Sequence, residues 1–137
     1  IGTPYADIIA ACGGYKKPCK KLLMGGPMMG IVVPNDSYPL LKNNNAILAL
    51  DEEQTVVPEE QACIRCGRCV GVCPEHLVPP LMMKASTAHD LEKFQSLNGM
   101  ECVECGCCAY ACPARRPLTQ AFKEMRKAVM AARRKKA

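Results

Sequence analysis

Aromatic side chains are scarce in this chain of 137 residues: it has no Trp and two Phe, and aromatics form 4% of a composition that is 49% apolar. A large core built on rings is excluded, so part of the fold must be held by other means. Long hydrophobic runs are missing as well. The best candidates, around Ile31 to Val33 and Ala46 to Leu50, fall well short of the roughly 18 apolar residues of a membrane span, and no transmembrane segment is expected. The opening Ile1-Gly2-Thr3-Pro4 carries neither an initiator Met nor the charged and apolar regions of a signal peptide, so the chain reads as excised from a longer one. Histidine is sparse, and His76 and His89 stand alone, as surface or capping residues rather than ligands.

Cysteine is what the chain has in excess. Eleven Cys in 137 residues is the level at which cross-links or metal sites replace missing core, and it excludes an ordinary globular enzyme domain. They are unevenly placed: residues 1 to 62 hold only Cys12 and Cys19, and residues 63 to 112 hold the other nine. The acidic, turn-prone stretch Asp51 to Gln61 between them reads as a linker. Net charge is +5, yet residues 123 to 137 hold seven Lys/Arg against one Glu and the remainder is near neutral, so only the tail is basic.

The first part predicts a small α+β unit. Thr3 as N-cap, Pro4 at the first helical position and Gly13-Gly14 as stop frame a short helix from Tyr5. Leu22 to Met24, Ile31 to Val33 and Ala46 to Leu50 read as strands around tight glycine turns. The loop Gly25-Gly26-Pro27-Met28-Met29-Gly30 lacks both the Gly-Lys-Ser/Thr ending of a phosphate loop and the order of a dinucleotide fingerprint, and is expected to be a turn packed by its methionines. The second part predicts helices at Leu81 to Ala85 and His89 to Leu97. After Pro117, apolar Leu118, Ala121, Phe122, Met125, Val129 and Ala132 recur at three and four, giving an amphipathic helix with a cationic end.

Cys63-Ile-Arg-Cys66-Gly-Arg-Cys69-Val-Gly-Val-Cys73-Pro74 has the form C-x2-C-x2-C-x3-C-P, and Cys102-Val-Glu-Cys105-Gly-Cys-Cys108-Ala-Tyr-Ala-Cys112-Pro113 repeats it. Three thiolates at intervals of three can wrap one face of a cubane, while the fourth, on the turn that follows, points away. In two-cluster ferredoxins this fourth Cys ligates the other cluster. Cys63, Cys66, Cys69 and Cys112 are therefore assigned to one 4Fe-4S cluster, and Cys102, Cys105, Cys108 and Cys73 to a second. A disulfide framework fits poorly with an odd number of Cys, and zinc prefers two pairs separated by a longer loop. Using Cys107 in place of Cys108 would break the match to the first copy, so Cys107 is expected to pack; Cys12 and Cys19 have no further ligands nearby. The 28 residues between Cys73 and Cys102 have helical composition, which favours the helical type of two-cluster ferredoxin. The run Arg133-Arg134-Lys135-Lys136 invites a nucleic-acid reading, but basic charge confined to a tail, with no stacking platform, argues against it. No catalytic residue is expected.

Gly2-Thr3-Pro4, Cys12-Gly13-Gly14, Met24-Gly25-Gly26-Pro27-Met28-Met29-Gly30 and the paired cysteine motifs, in this order, resemble the C-terminal part of the C subunit of Rnf-type electron transport complexes. The resemblance implies a partial soluble-ligand-binding β-grasp (SLBB-like) domain over residues 1–52, an α-helical 4Fe-4S ferredoxin domain over 53–116 and a basic amphipathic helix over 117–137. It also implies a bacterial peripheral protein on the cytoplasmic face of the cell membrane, with other subunits of a membrane complex as partners. Electrons would pass from a flavin domain upstream in the parent chain, where FMN and NADH would bind, to membrane subunits coupled to ion translocation. This segment alone is then expected to lack NADH-oxidising activity. Microcompartment cobalamin reductases are built similarly and supply an alternative; a non-redox metal-stabilised interaction module is another.

Overall fold

A computed structural model describes residues 1–136. The chain divides into two compact units, Ile1–Val57 and Pro58–Ala137. The parting thus falls inside the acidic stretch, five residues beyond the boundary placed after residue 52.

The first unit joins helix α1 (Tyr5–Ala11) to strands β1 (Lys21–Met24), β2 (Ile31–Val33) and β3 (Ile47–Leu50). The strands form an antiparallel sheet in the order β2-β1-β3, with Leu22 opposite both Val33 and Ala49. Tyr5, Leu22 and Val33 are buried at its centre, against Ile8, Ile9, Tyr38 and Ile47. Tyr5 compensates for the shortage of rings: its hydroxyl accepts a 2.9 Å bond from Asn44 Nδ2 and its ring meets Tyr38 edge-on at 6.1 Å.

Two local expectations need correction. Pro4, not Thr3, is the N-cap of α1 and gives no side-chain cap. Thr3 is instead taken up in pairing, its carbonyl accepting from the Leu40 amide at 2.8 Å while Pro4 bridges Pro39. The loop between β1 and β2 is not packed by its methionines, since Met28 and Met29 are exposed. Its closure is a backbone matter. The Gly30 amide donates to Gly26 O at 2.8 Å, and a Cβ on Gly30 would lie 2.4 Å from that same oxygen.

The second unit is helical: α2 (Arg68–Gly71), α3 (Pro79–Thr87), α4 (Leu91–Ser96), α5 (Cys107–Tyr110) and α6 (Leu118–Lys136), with a 3-10 turn at Gly99–Glu101. Pro79 opens α3 where its missing amide costs nothing. Asp90 caps α4, accepting from the Lys93 amide at 2.8 Å. The α6 seam of Leu118, Phe122, Met125 and Val129 is buried with Leu77, Met82, Ala85 and Phe94. Each such side chain contributes about 1.5–3 kcal/mol by leaving water. One face of this core is finished by cysteines, for Cys69, Cys73, Cys102, Cys108 and Cys112 pack against it.

Candidate metal centre

The two cysteine motifs fold alike, residue for residue. In the first, Arg65, Gly67 and His76 have φ of 57°, 75° and 51°; in the second, Glu104, Gly106 and Arg115 have φ of 57°, 86° and 54°. Four of these six are not glycine, so the left-handed conformation at Arg65, His76, Glu104 and Arg115 is maintained against an intrinsic preference. Each motif then forms one helical turn, α2 or α5, which carries the third Cys and is closed by matching bonds, Gly71 N to Gly67 O at 3.2 Å and Tyr110 N to Gly106 O at 3.0 Å. Left-handed residues within such loops turn backbone amides toward a common concavity, a geometry suited to anionic sulfur.

Two cavities result. The first, ≈ 130 Å³, is lined by Cys63, Cys66 and Cys69 together with Cys112 from the other motif. The second, ≈ 20 Å³, is lined by Cys102, Cys105 and Cys108 together with Cys73. Each therefore gathers three thiols of one motif and the fourth of its twin. Leu77, Met82 and Phe122 wall the second from below. The Leu77 amide donates to Cys73 Sγ at 3.4 Å, the kind of contact that stabilises a thiolate.

Burial pushes the Cys69 and Cys102 thiols up, with neighbouring thiols adding to the effect, and carries Cys108 up to about 11. At the second cavity, where all four cysteines are half-buried, thiolates would require a compensating cation, of the kind iron supplies. Among the described residues no three His, Cys, Asp or Glu converge tightly enough to share a single ion. A donor set of four thiols ringing a space, rather than meeting at a point, fits a multi-atom cluster better than zinc.

The remaining candidates separate from these sites. Cys107 is half-buried outside both cavities, and its thiol is raised first by a hydrogen bond to Cys105 and then by burial. Cys12 is exposed, and Cys19 packs on the first unit's core with its thiol 3.5 Å from Lys21 O. His76 and His89 are exposed residues in left-handed turns. Nothing in the sequence pointed to two ion pairs beside the motifs, Arg116 with Glu60 at 3.2 Å and Arg126 with Glu104. The partners lie 56 and 22 residues apart in sequence, and no periodicity links them.

A family model described as a 4Fe-4S dicluster domain matches residues 55–113, spanning both motifs. The chain is 49% identical over 122 residues, 89% of its length, to the C subunit of the ion-translocating oxidoreductase complex of Rhodobacter capsulatus. It belongs to the family of Rnf-type C subunits. Among other members, the C subunit of the Na(+)-translocating ferredoxin:NAD(+) oxidoreductase complex of Acetobacterium woodii is 42% identical over 98% of this chain. That of an ion-translocating oxidoreductase complex in Methanosarcina acetivorans is 39% identical over 95% of it. The chain spans 24%, 30% and 29% of these three C subunits respectively. Iron-sulfur electron transport is thus the chemistry of its family.

Proposed function

We propose that this chain is the electron-transfer module of a membrane-associated oxidoreductase, carrying two 4Fe-4S clusters with interleaved ligands. Cys63, Cys66, Cys69 and Cys112 hold one; Cys102, Cys105, Cys108 and Cys73 hold the other. The observation that carries the reading is the composition of the two cavities, each lined by three Cys of one motif and the last Cys of its twin. When bound, the clusters supply one-electron chemistry at iron.

The chain's own residues do the rest. The thiols fix the clusters, and the α2 and α5 turns set the third and fourth ligands of each motif about one helical turn apart. Leu77, Met82 and Phe122 exclude water from the second site, and the Leu77 amide steadies Cys73 Sγ. The turns α2 and α5, which carry the third ligands, pack against each other.

In the fuller reading, residues 1–52 are a partial SLBB-like β-grasp domain, residues 53–116 the ferredoxin domain and residues 117–137 a basic helix. Electrons arrive from an FMN and NADH domain elsewhere in the parent chain and leave toward membrane subunits coupled to ion translocation. The module sits peripherally on the cytoplasmic face of the membrane. Support comes from the family relationship, from the names of the relatives, and from the described helices, none of which is long and apolar enough to cross a membrane.

The interleaving is tested by Cys73→Ala and Cys112→Ala, with iron analysis and electron paramagnetic resonance on each. Cys73→Ala should damage the cluster held by the second motif, and Cys112→Ala the one held by the first. If each substitution removes its own motif's cluster, the arrangement is wrong.

A further inference from the structure

The repeat that sets Cys63 against Cys102 extends to the flanks of both motifs. Glu60, three residues before Cys63, matches Gly99, three before Cys102; Arg116, four residues after Cys112, matches Leu77, four after Cys73. Because the fourth ligands cross over, Glu60 and Arg116 both fall to the first site, and Gly99 and Leu77 to the second. Two positions that are uncharged at the second site thus carry opposite charges at the first.

Those charges meet. Arg116 Nη2 lies 3.2 Å from Glu60 Oε1, and one residue further on the Gln61 amide donates to Ala114 O at 2.9 Å. The run from Pro58 to Gly67 is exposed and without regular structure, so these contacts tie the lead-in to Cys63 onto the chain that follows Cys112. Arg116 also borders the site itself. With Cys63, Cys69 and Cys112 it lines a hollow of ≈ 710 Å³ beside the first cavity, and its Nε is buried with no hydrogen-bond partner. A buried guanidinium N–H left without an acceptor is costly, and sulfur bound to iron is an acceptor. Among the described residues Arg126 Nε is likewise buried and unpartnered, but Arg126 stands outside the wall of the second cavity, where Leu77 is found instead.

Resting on the electron-transfer reading above, we infer that Arg116 both closes and tunes the first 4Fe-4S site. Its ion pair with Glu60 latches the Cys63 loop to the Cys112 segment, and its Nε–H donates to sulfur of the cluster held there. A reduced cluster carries one more negative charge than an oxidised one, so a fixed cationic donor stabilises the reduced form more and raises the reduction potential. Leu77, in the matching place, gives the second site no such donor from its side chain. One substitution between otherwise matched motifs therefore sets the two potentials apart.

Redox titration of the iron-loaded protein, followed by electron paramagnetic resonance, tests this. Arg116→Leu gives the first site the residue that its twin carries, and should lower the midpoint of the first cluster while leaving the second unchanged. A chelator should strip the first cluster roughly tenfold faster or more, as when a group supporting metal ligands is lost. The same titration in a Cys73→Ala background, where the surviving signal belongs to the first site, assigns the shift. Arg116→Lys keeps the charge and the reach to Glu60 but has no Nε–H; it should restore iron retention and only part of the midpoint, and it carries the test should Arg116→Leu bind no iron. Arg134→Leu removes the same charge from the exposed end of α6 and should move neither midpoint. A first-cluster midpoint unchanged in both Arg116 variants, two midpoints moving together, or an equal shift in Arg134→Leu overturns the inference. Failure of the electron-transfer reading is separately visible, since the unaltered protein would then lack iron and the visible absorbance of a cluster.

Discussion

Phe94 and Gly99 fit closely in the second unit. Phe94 is 0% exposed, and a Cβ on Gly99 would lie 2.4 Å from its ring. Since the ring is enclosed on every side, it cannot swing away. Gly99→Ala should therefore destabilise this unit by about 1–3 kcal/mol, the usual cost of overfilling a packed core, read as a lowered denaturation midpoint with iron content preserved. Asp51 gives a pH signature for the first unit. Its Oδ1 accepts from the Gln54 amide at 3.0 Å and its Oδ2 from Lys17 Nζ at 3.0 Å, and these bonds, the amide first, hold its carboxyl below the usual value. A carboxyl whose folded pKa is depressed stabilises the fold above its unfolded pKa and loses that contribution as pH falls through the folded value. Between the ordinary carboxylate range and more acidic pH, the stability of the unaltered chain should thus fall with a component that Asp51→Asn lacks. Denaturation midpoints across an acid series, with the Asp51 carboxyl followed by NMR, check this; identical slopes would remove Asp51 from the account.

Helix α6 combines two tasks along its length. Its seam from Leu118 to Val129 is buried against α3 and α4, and no described residue beyond Val129 belongs to that core. The cationic end is then free of packing demands, although Arg133 donates to Gln95 Oε1 at 2.8 Å and is partly committed. Arg134 and Lys135 are exposed; the side chain of Lys136 lies outside the described residues. Near an anionic surface each basic residue is worth about 1 kcal/mol before screening. Replacing Arg133, Arg134, Lys135 and Lys136 by Gln should leave iron content unchanged and weaken salt-sensitive association with membranes carrying the subunits proposed as partners. Cosedimentation across a salt series measures it, and association that is unchanged at every salt would leave the tail as a solvated helix end, favourably placed only for the helix dipole.

The second unit as a whole is half packed core and half metal-dependent loop. Its core joins α3, α4 and α6, whereas the run from Pro58 to Gly67 is exposed throughout and without regular structure. Removing iron by acid and chelator should consequently free the loops before the helices. Trypsin should then cut at Arg65 and Arg68 while α6 stays protected at Arg126, which is held by Glu104 and by the packing of Met125. Mass spectrometry of the fragments with and without iron decides; cleavage that begins at Arg126, within the packed part of α6, would mean that the iron, not the apolar core, holds the helices together.

Local chemistry made much of this legible beforehand. Strand runs, the helical composition of Leu81 to Ala85 and His89 to Leu97, the α6 seam and the twelve-residue cysteine pattern are short-range signals, written in neighbouring side chains. The sequence could not decide that the helix would start after Pro4 with Thr3 held in extended pairing, because the partner whose amide Thr3 O accepts, Leu40, lies 37 residues away. Nor could it show that Met28 and Met29 face solvent, since a loop closed by the Gly30 to Gly26 bond needs no apolar filling. Above all, the charged residues near the two cavities are mixed along the chain, where Arg65 and Glu75 lie in one motif and Glu104 and Arg115 in the other. Only folding, by carrying Cys112 with its neighbours to the first site and Cys73 with Glu75 to the second, sorts those charges in space.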